Sequence, residues 1–264
     1  MPEFFDIACN FSHKSFLHRL DEVIASAKSC GVKKFAVISA NIDDIDIVRD
    51  LKLQYEEICA STAGVHPHHA SELMNWTHQD LKEIISKASP NAIGETGLDY
   101  YRNLSTKEEQ INAFKMQVQI AIELNLPLFL HQRDSHEDFY KILMDYKNDL
   151  PSFVVHCFTA GPKELNDYLN LGAYIGLTGW ICDAKRNQEL RESINEIPIE
   201  RLLIETDCPY LIPKNIHPKP NKNINEPKYL PHIAKEISSL RNESYDEIAV
   251  SSLNNAELFF SKTT

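Results

Sequence analysis

An α/β fold, a single (β/α)₈ TIM-like barrel, is what the sequence predicts, and three observations carry that expectation. Eight short apolar, β-rich runs alternate with stretches of helical spacing. Most of these runs are apolar throughout, as in Phe153-Val154-Val155 and Leu202-Leu203-Ile204, which suits parallel strands buried on both faces. No composition break or long linker divides the 264 residues, a length that barrels commonly use as one unit, so residues 1–264 are expected to form one domain.

In chain order, strands are expected from Phe4 to Cys9, Lys33 to Ala40, Glu57 to Gly64, Asn91 to Thr96, Pro127 to His131, Ser152 to Phe158, Ala173 to Gly179 and Arg201 to Thr206. Helical stripes between them, such as Leu20, Val23, Ile24, Ala27 and Ile111, Phe114, Val118, Ala121, would pack against the sheet. Ser105 with Glu108 and Ser244 with Glu247 have the spacing of capping boxes, while Gly31 and Gly172 stand where helices should end. The segment from Pro209 to Pro231 is rich in Pro, Asn and Lys and predicts a long loop after the eighth strand, of the kind that often serves function.

Hydrophobic residues are 43% of the chain and charged residues 25%, the balance of an ordinary globular protein. The amino terminus lacks a basic stretch followed by an apolar run, and no segment is long enough to span a bilayer, so the expected location is cytoplasmic, with no membrane partner. Six cysteines lie far apart without a C-x-x-C pair, and they read as reduced thiols, mostly in the core. A formal net charge of -11 argues against a protein that coats nucleic acid, although not against an enzyme with a small footprint, because a metal ion supplies positive charge locally.

Catalytic groups of such barrels gather where strands end. Strand three ends in Gly64-Val65-His66-Pro67-His68, strand four in Gly94-Glu95-Thr96-Gly97-Leu98-Asp99, strand five in His131-Gln132-Arg133-Asp134, strand six in His156-Cys157-Phe158 and strand eight in Glu205-Thr206-Asp207. Five segments thus deliver His, Glu and Asp to one face, and six of the eight glycines fall at or just past strand ends. Two neutral imidazoles and a carboxylate hold a borderline divalent ion while leaving positions open. Such an ion acidifies water near neutral pH, and a second carboxylate such as Asp207 can orient that water or take its proton.

The strings TAGVHPH (62 to 68), AIGETGLDYYRN (92 to 103), PLFLHQRDSHEDF (127 to 139), VVHCFTAG (154 to 161), YIGLTGWICDAKR (174 to 186), LLIETDCPYLIPK (202 to 214) and NEPKYLPHI (225 to 233) together resemble the TatD family of metal-dependent deoxyribonucleases over nearly the whole chain. The resemblance implies a barrel of the metallo-dependent hydrolase type and hydrolysis of DNA phosphodiester bonds, as a 3′–5′ exonuclease on single strands or frayed ends, with RNA as a further substrate. It implies Glu95, His131 and His156 as metal ligands, Asp207 as ligand or general base, His66 beside the scissile phosphate, and Arg133 and Arg102 as phosphate contacts through their forked donors. Mg²⁺ or Mn²⁺ is the expected ion, and Zn²⁺ also suits the donors. Many members of the wider family open with Asp-x-His-x-His, where this chain reads Asp6-Ile7-Ala8-Cys9-Asn10; Asp6 and Asn10 would leave an oxygen-rich second site.

Other readings stay open on the residues alone. The same barrel and ligands serve amide, ester or lactone hydrolases, or a non-catalytic metal-binding barrel. Lys214, Lys219, Lys222 and Lys228 either track a phosphate backbone or form a solvated rim, and Trp180, Tyr100 and Tyr101 either stack on bases or pack. His68 reads as a loop stabiliser.

Overall fold

The structure is a computed structural model that describes residues 2–220 and 223–261. Eight strands run parallel in chain order: β1 Phe4–Cys9, β2 Val32–Val37, β3 Ile58–Ala63, β4 Ala92–Asp99, β5 Leu128–Arg133, β6 Phe153–Val155, β7 Tyr174–Leu177 and β8 Leu202–Ile204. The ring closes where Cys9 bridges Cys208 in parallel and the Asn10 amide donates to the Cys208 carbonyl at 3.0 Å. The TIM-like barrel is therefore present. The expected strands recur, five of them shorter because terminal residues leave the ladder to form loops and site walls, whereas β4 and β5 run on past Thr96 and His131 to pair Asp99 with Arg133.

Helices α1 Leu20–Ser29, α2 Ile42–Gln54, α3 His78–Ala88, α4 Lys107–Leu124, α5 His136–Asp145, α6 Pro162–Asn170, α7 Gln188–Ser193 and α8 Leu230–Leu240 separate and follow the strands. The stripe Leu20, Val23, Ile24, Ala27 is buried as its spacing predicts. Gly31 and Gly172 adopt φ of +94° and +85°, the left-handed conformation that ends α1 and α6. The box at Ser244 is present, but that of α4 is shifted by one residue to Thr106 and Glu109. Ser105 turns inward instead and donates its hydroxyl to the His68 carbonyl at 3.2 Å.

Two features place the site. Inside the barrel, Phe5, Ile7, Ala36, Ala60, Ala92, Phe129, Val154, Tyr174 and Leu203 form a floor, plugged from below by Phe259 and Phe260 of a ninth helix, α9 Tyr245–Phe260. Side chains two positions further along a strand face the same way. Phe129 is thus followed inward by His131, Val154 by His156, and Leu203 by Glu205. In β4, Gly94 and Gly97 hold φ of +146° and +142°, and a Cβ there would lie 2.3 Å from the Phe129 carbonyl and 1.9 Å from that of His131. Only glycine lets β4 approach β5 so closely.

Candidate metal centre

Glu95 is the hub. Its Oε1 lies 2.7 Å from His156 Nε2, 2.9 Å from His131 Nδ1 and 3.2 Å from His66 Nε2. Four strand ends thus converge on one buried carboxylate oxygen: β3 supplies His66, β4 Glu95, β5 His131 and β6 His156.

The partners of the far ring nitrogens set what each imidazole can do. His66 Nδ1 accepts the His68 amide at 3.0 Å, so the proton of the neutral ring sits on Nε2 and points at Glu95. Burial lowers the His66 pKa to about 4, which keeps the ring neutral. Donor atoms of His66, Glu95 and His131 lie within 4.8 Å of one another, as a metal cluster requires. With the His68 amide on its Nδ1, His66 stands here as a hydrogen-bond donor to Glu95, while His156 Nε2 lies closest to the same carboxylate oxygen at 2.7 Å.

His131 and His156 are backed differently. The His131 Nε2 lies 3.3 Å from Asp99 Oδ2, and the His156 Nδ1 lies 3.5 Å from Glu205 Oε2. Burial opposes charge on both rings, but hydrogen bonds to Asp99 and Glu95 raise the pKa of His131, and the charges of Glu95 and Glu205 raise that of His156. Against burial, the same imidazoles hold Glu95 well below the usual carboxylate range. A carboxylate and two imidazoles, each ring backed by a further carboxylate, fit a borderline divalent ion well.

Asp207 follows β8 at φ +53°, with its Oδ1 receiving the Asn10 side-chain amide at 3.0 Å. Burial, reinforced by the charges of Glu95 and Glu205, pushes its carboxyl up to about 8 despite the pull of His156. Asp6 and Asn10, expected to leave an oxygen-rich second site, are each engaged by residues that follow β8. Asp6 is wholly buried, with Oδ1 accepting the Thr206 amide at 2.9 Å and Oδ2 paired with the Thr206 hydroxyl at 2.5 Å, and burial raises its pKa to about 7. It braces β1 against β8, while Asn10 positions Asp207.

Of the two arginines, Arg133 stands at the end of β5 with its guanidinium 3.9 Å from the centre of the Tyr101 ring, and Arg102 is exposed in the loop after β4. The Arg102 backbone amide donates to Asp99 at 2.8 Å. Tyr100 packs, donating its hydroxyl to Asp138 at 2.9 Å. Lys228 pairs with Glu226 at 2.5 Å, Lys214 and Lys219 line an open cavity, and Lys222 lies outside the described residues. His68 donates to Asp99 at 2.7 Å besides supporting its loop.

Asp99 and Glu205 are the site residues that reasoning from the sequence left without a role. Asp99 joins His68 to His131, and Glu205 faces His156 while its Oε1 accepts the Cys157 amide at 2.5 Å. The available signal was alternation: Asp99 falls four residues after Glu95 on one strand, and Glu205 two after Leu203. Three of the six cysteines, Cys9, Cys182 and Cys208, are in the core; all six are free thiols.

A closed parallel barrel with this cluster at the carboxyl ends of its strands defines a metallo-dependent hydrolase, an enzyme that uses a divalent cation. The chain belongs to the family of TatD-related DNases, whose model matches residues 5–261. It is 42% identical to the "3'-5' ssDNA/RNA exonuclease TatD" of Erwinia amylovora over 97% of this chain and 99% of that protein. The protein of the same name from Escherichia coli K12 is also 42% identical, over 97% and 98% of the two chains. Among solved structures, YJJV, a TatD homolog from Escherichia coli K12, superposes with a TM-score of 0.88 at 25% identity, covering 97% of each chain.

Proposed function

We propose that the protein is a 3′–5′ exonuclease of single-stranded DNA and RNA that works with one Mg²⁺ or Mn²⁺ ion held by Glu95, His131 and His156, the chain from 1 to 264 acting as one catalytic domain. The observation that carries this reading is the single buried Glu95 oxygen approached by imidazoles from three neighbouring strands. The named substrates and polarity follow from relatives that match over almost their full length. When bound, the ion supplies Lewis acidity toward a phosphate oxygen and a more acidic water.

This chain's residues do the rest. Asp207, oriented by the Asn10 amide, would accept the proton of the attacking water in its carboxylate form. His66 offers its Nε2 proton to a phosphate oxygen, since the His68 amide occupies Nδ1. Arg133 and Arg102 bind the flanking phosphates by paired N–H donors. Asp99 and Glu205 hold the two metal-facing rings in the required orientation.

Labelled single strands incubated with the purified protein test the reading. Nucleotides should be released from the 3′ end with Mg²⁺ or Mn²⁺, and release should stop with EDTA or in Glu95→Gln. Equal product under all three conditions would discard it.

A further inference from the structure

In a chain whose formal charge is -11, basic side chains gather at one place beside the metal centre. A cavity of about 540 Å³ opens between the loop after β7 and the proline-rich loop after β8, lined by Trp180, Arg186, Tyr210, Lys214 and Lys219 among others. Lys185 borders the adjoining depression. Among the described residues Asp183 is the one carboxylate on either lining, and Arg186 already engages it at 2.6 Å. Among the described residues, Lys185, Lys214 and Lys219 make no ion pair within 4 Å, and Lys214 acts on Asp183 only at longer range, behind Arg186.

The same cavity carries flat surfaces. The Arg186 guanidinium lies 4.7 Å from the centre of the Trp180 ring, and Tyr210 is 52% exposed. The Trp180 indole N–H is buried without an acceptor among the described residues. The walls join the metal centre directly: the Tyr210 amide donates to the Asp207 carbonyl at 2.9 Å. Trp180 stands two residues past Thr178, whose hydroxyl lies 3.7 Å from the Cys157 sulfur next to His156. At the seam, a Cβ on Gly179 would lie 2.2 Å from the Leu211 carbonyl, so the two loops close only on glycine.

Unpaired cations that meet phosphates, beside planar groups that meet bases, are the parts of a single-strand binding groove. We propose that this cavity is the subsite for an unpaired stretch of the substrate strand, with a base stacked on the Trp180–Arg186 pair and the neighbouring phosphates held by Lys214 and Lys219. The inference rests on the nuclease reading and deepens it. It explains a preference for single strands at the level of binding, because paired bases cannot reach the stack.

Equilibrium binding separates the two. With EDTA present, the full chain is titrated against a fluorescent twelve-residue oligothymidylate, an abasic strand of the same length and a polyglutamate of matched charge, with anisotropy as the readout. Lys214→Gln/Lys219→Gln should weaken oligothymidylate binding about tenfold and make the logarithmic salt dependence shallower by about 0.7 for each phosphate that is no longer neutralised. Trp180→Ala should weaken it about tenfold and Trp180→Phe much less, with neither changing abasic-strand affinity. Unchanged affinity in all variants, or polyglutamate binding as tightly as the oligonucleotide, overturns the proposal. So does wild-type protein holding the abasic strand as firmly as the base-bearing one. A metal-loaded protein that binds the strand through these side chains yet leaves it uncut discards the nuclease reading and keeps the subsite.

Discussion

At the scale of single residues, imidazoles from three strands face one Glu95 oxygen. With the His131 and His156 pKa values raised, an ion must displace protons as it binds. Divalent-ion affinity should therefore rise with pH across the neutral range. Calorimetric titrations in buffers of different ionisation heat should register proton release; a buffer-independent heat would contradict this account. Asp99→Asn should lower metal affinity by about 10- to 100-fold while the circular-dichroism spectrum is unchanged, because it removes the carboxylate behind His131 and no ligand. Asp6 makes a different prediction. Its folded pKa of about 7 lies above the ordinary 3.8 expected in the unfolded chain, so its stabilising contribution is complete below pH 3.8 and is lost as pH rises through 7. The gap of about three pKa units corresponds to roughly 4 kcal/mol. Thermal melts in EDTA should show wild type losing ground to Asp6→Asn between pH 4 and 8, and parallel curves would refute it. The ligand candidates themselves were legible in the sequence, since Glu95, His131 and His156 lie in or just after the fourth, fifth and sixth apolar runs. The backing residues were not, because Asp99 and Glu205 gain meaning only through rings contributed by other strands.

At the scale of elements, the barrel depends on two joints. Gly94 and Gly97 let β4 lie against β5, and α9 seals the floor with Phe259 and Phe260. Gly97→Ala should cost about 3 kcal/mol or more, since its φ is +142° and its Cβ would meet the His131 carbonyl. A lowered melting temperature together with weakened metal binding would show that the clash reaches His131; normal values for both would show that β4 accommodates a methyl group. Phe259→Ala should cost about 3–5 kcal/mol by leaving a cavity under the barrel, measurable by urea denaturation. Strand and helix alternation was readable from apolar runs and stripes. The ninth helix was not counted, although its capping box at Ser244 was visible, because an eight-unit pattern has no place for a helix that closes the end of the barrel. The one-residue error in the α4 cap has a similar origin: Ser105 and Thr106 are equal candidates by chemistry, and Ser105 is claimed by the His68 carbonyl.

At the scale of the whole molecule, function depends on a cation within a protein of net charge -11. Saturating Mn²⁺ should raise the melting temperature by several degrees over EDTA, since an ion at about 100 times its dissociation constant adds about 2.7 kcal/mol to the folded state. Glu95→Gln should abolish that increment. What the sequence by itself determined was the alternation of strand and helix, the family, and the set of polar residues at strand ends, because periodicity and residue type are properties of the chain in order. What only the tertiary structure decided was which of those polar groups share partners. Asp6 reads as a candidate ligand until Thr206 is found against it, and His66 reads as a phosphate neighbour with no tautomer assigned until the His68 amide is seen on its Nδ1. A ring nitrogen or carboxylate oxygen has one lone pair or proton to offer in a given direction. Which neighbour claims it depends on residues up to 200 positions away in sequence, brought into contact by closure of the barrel.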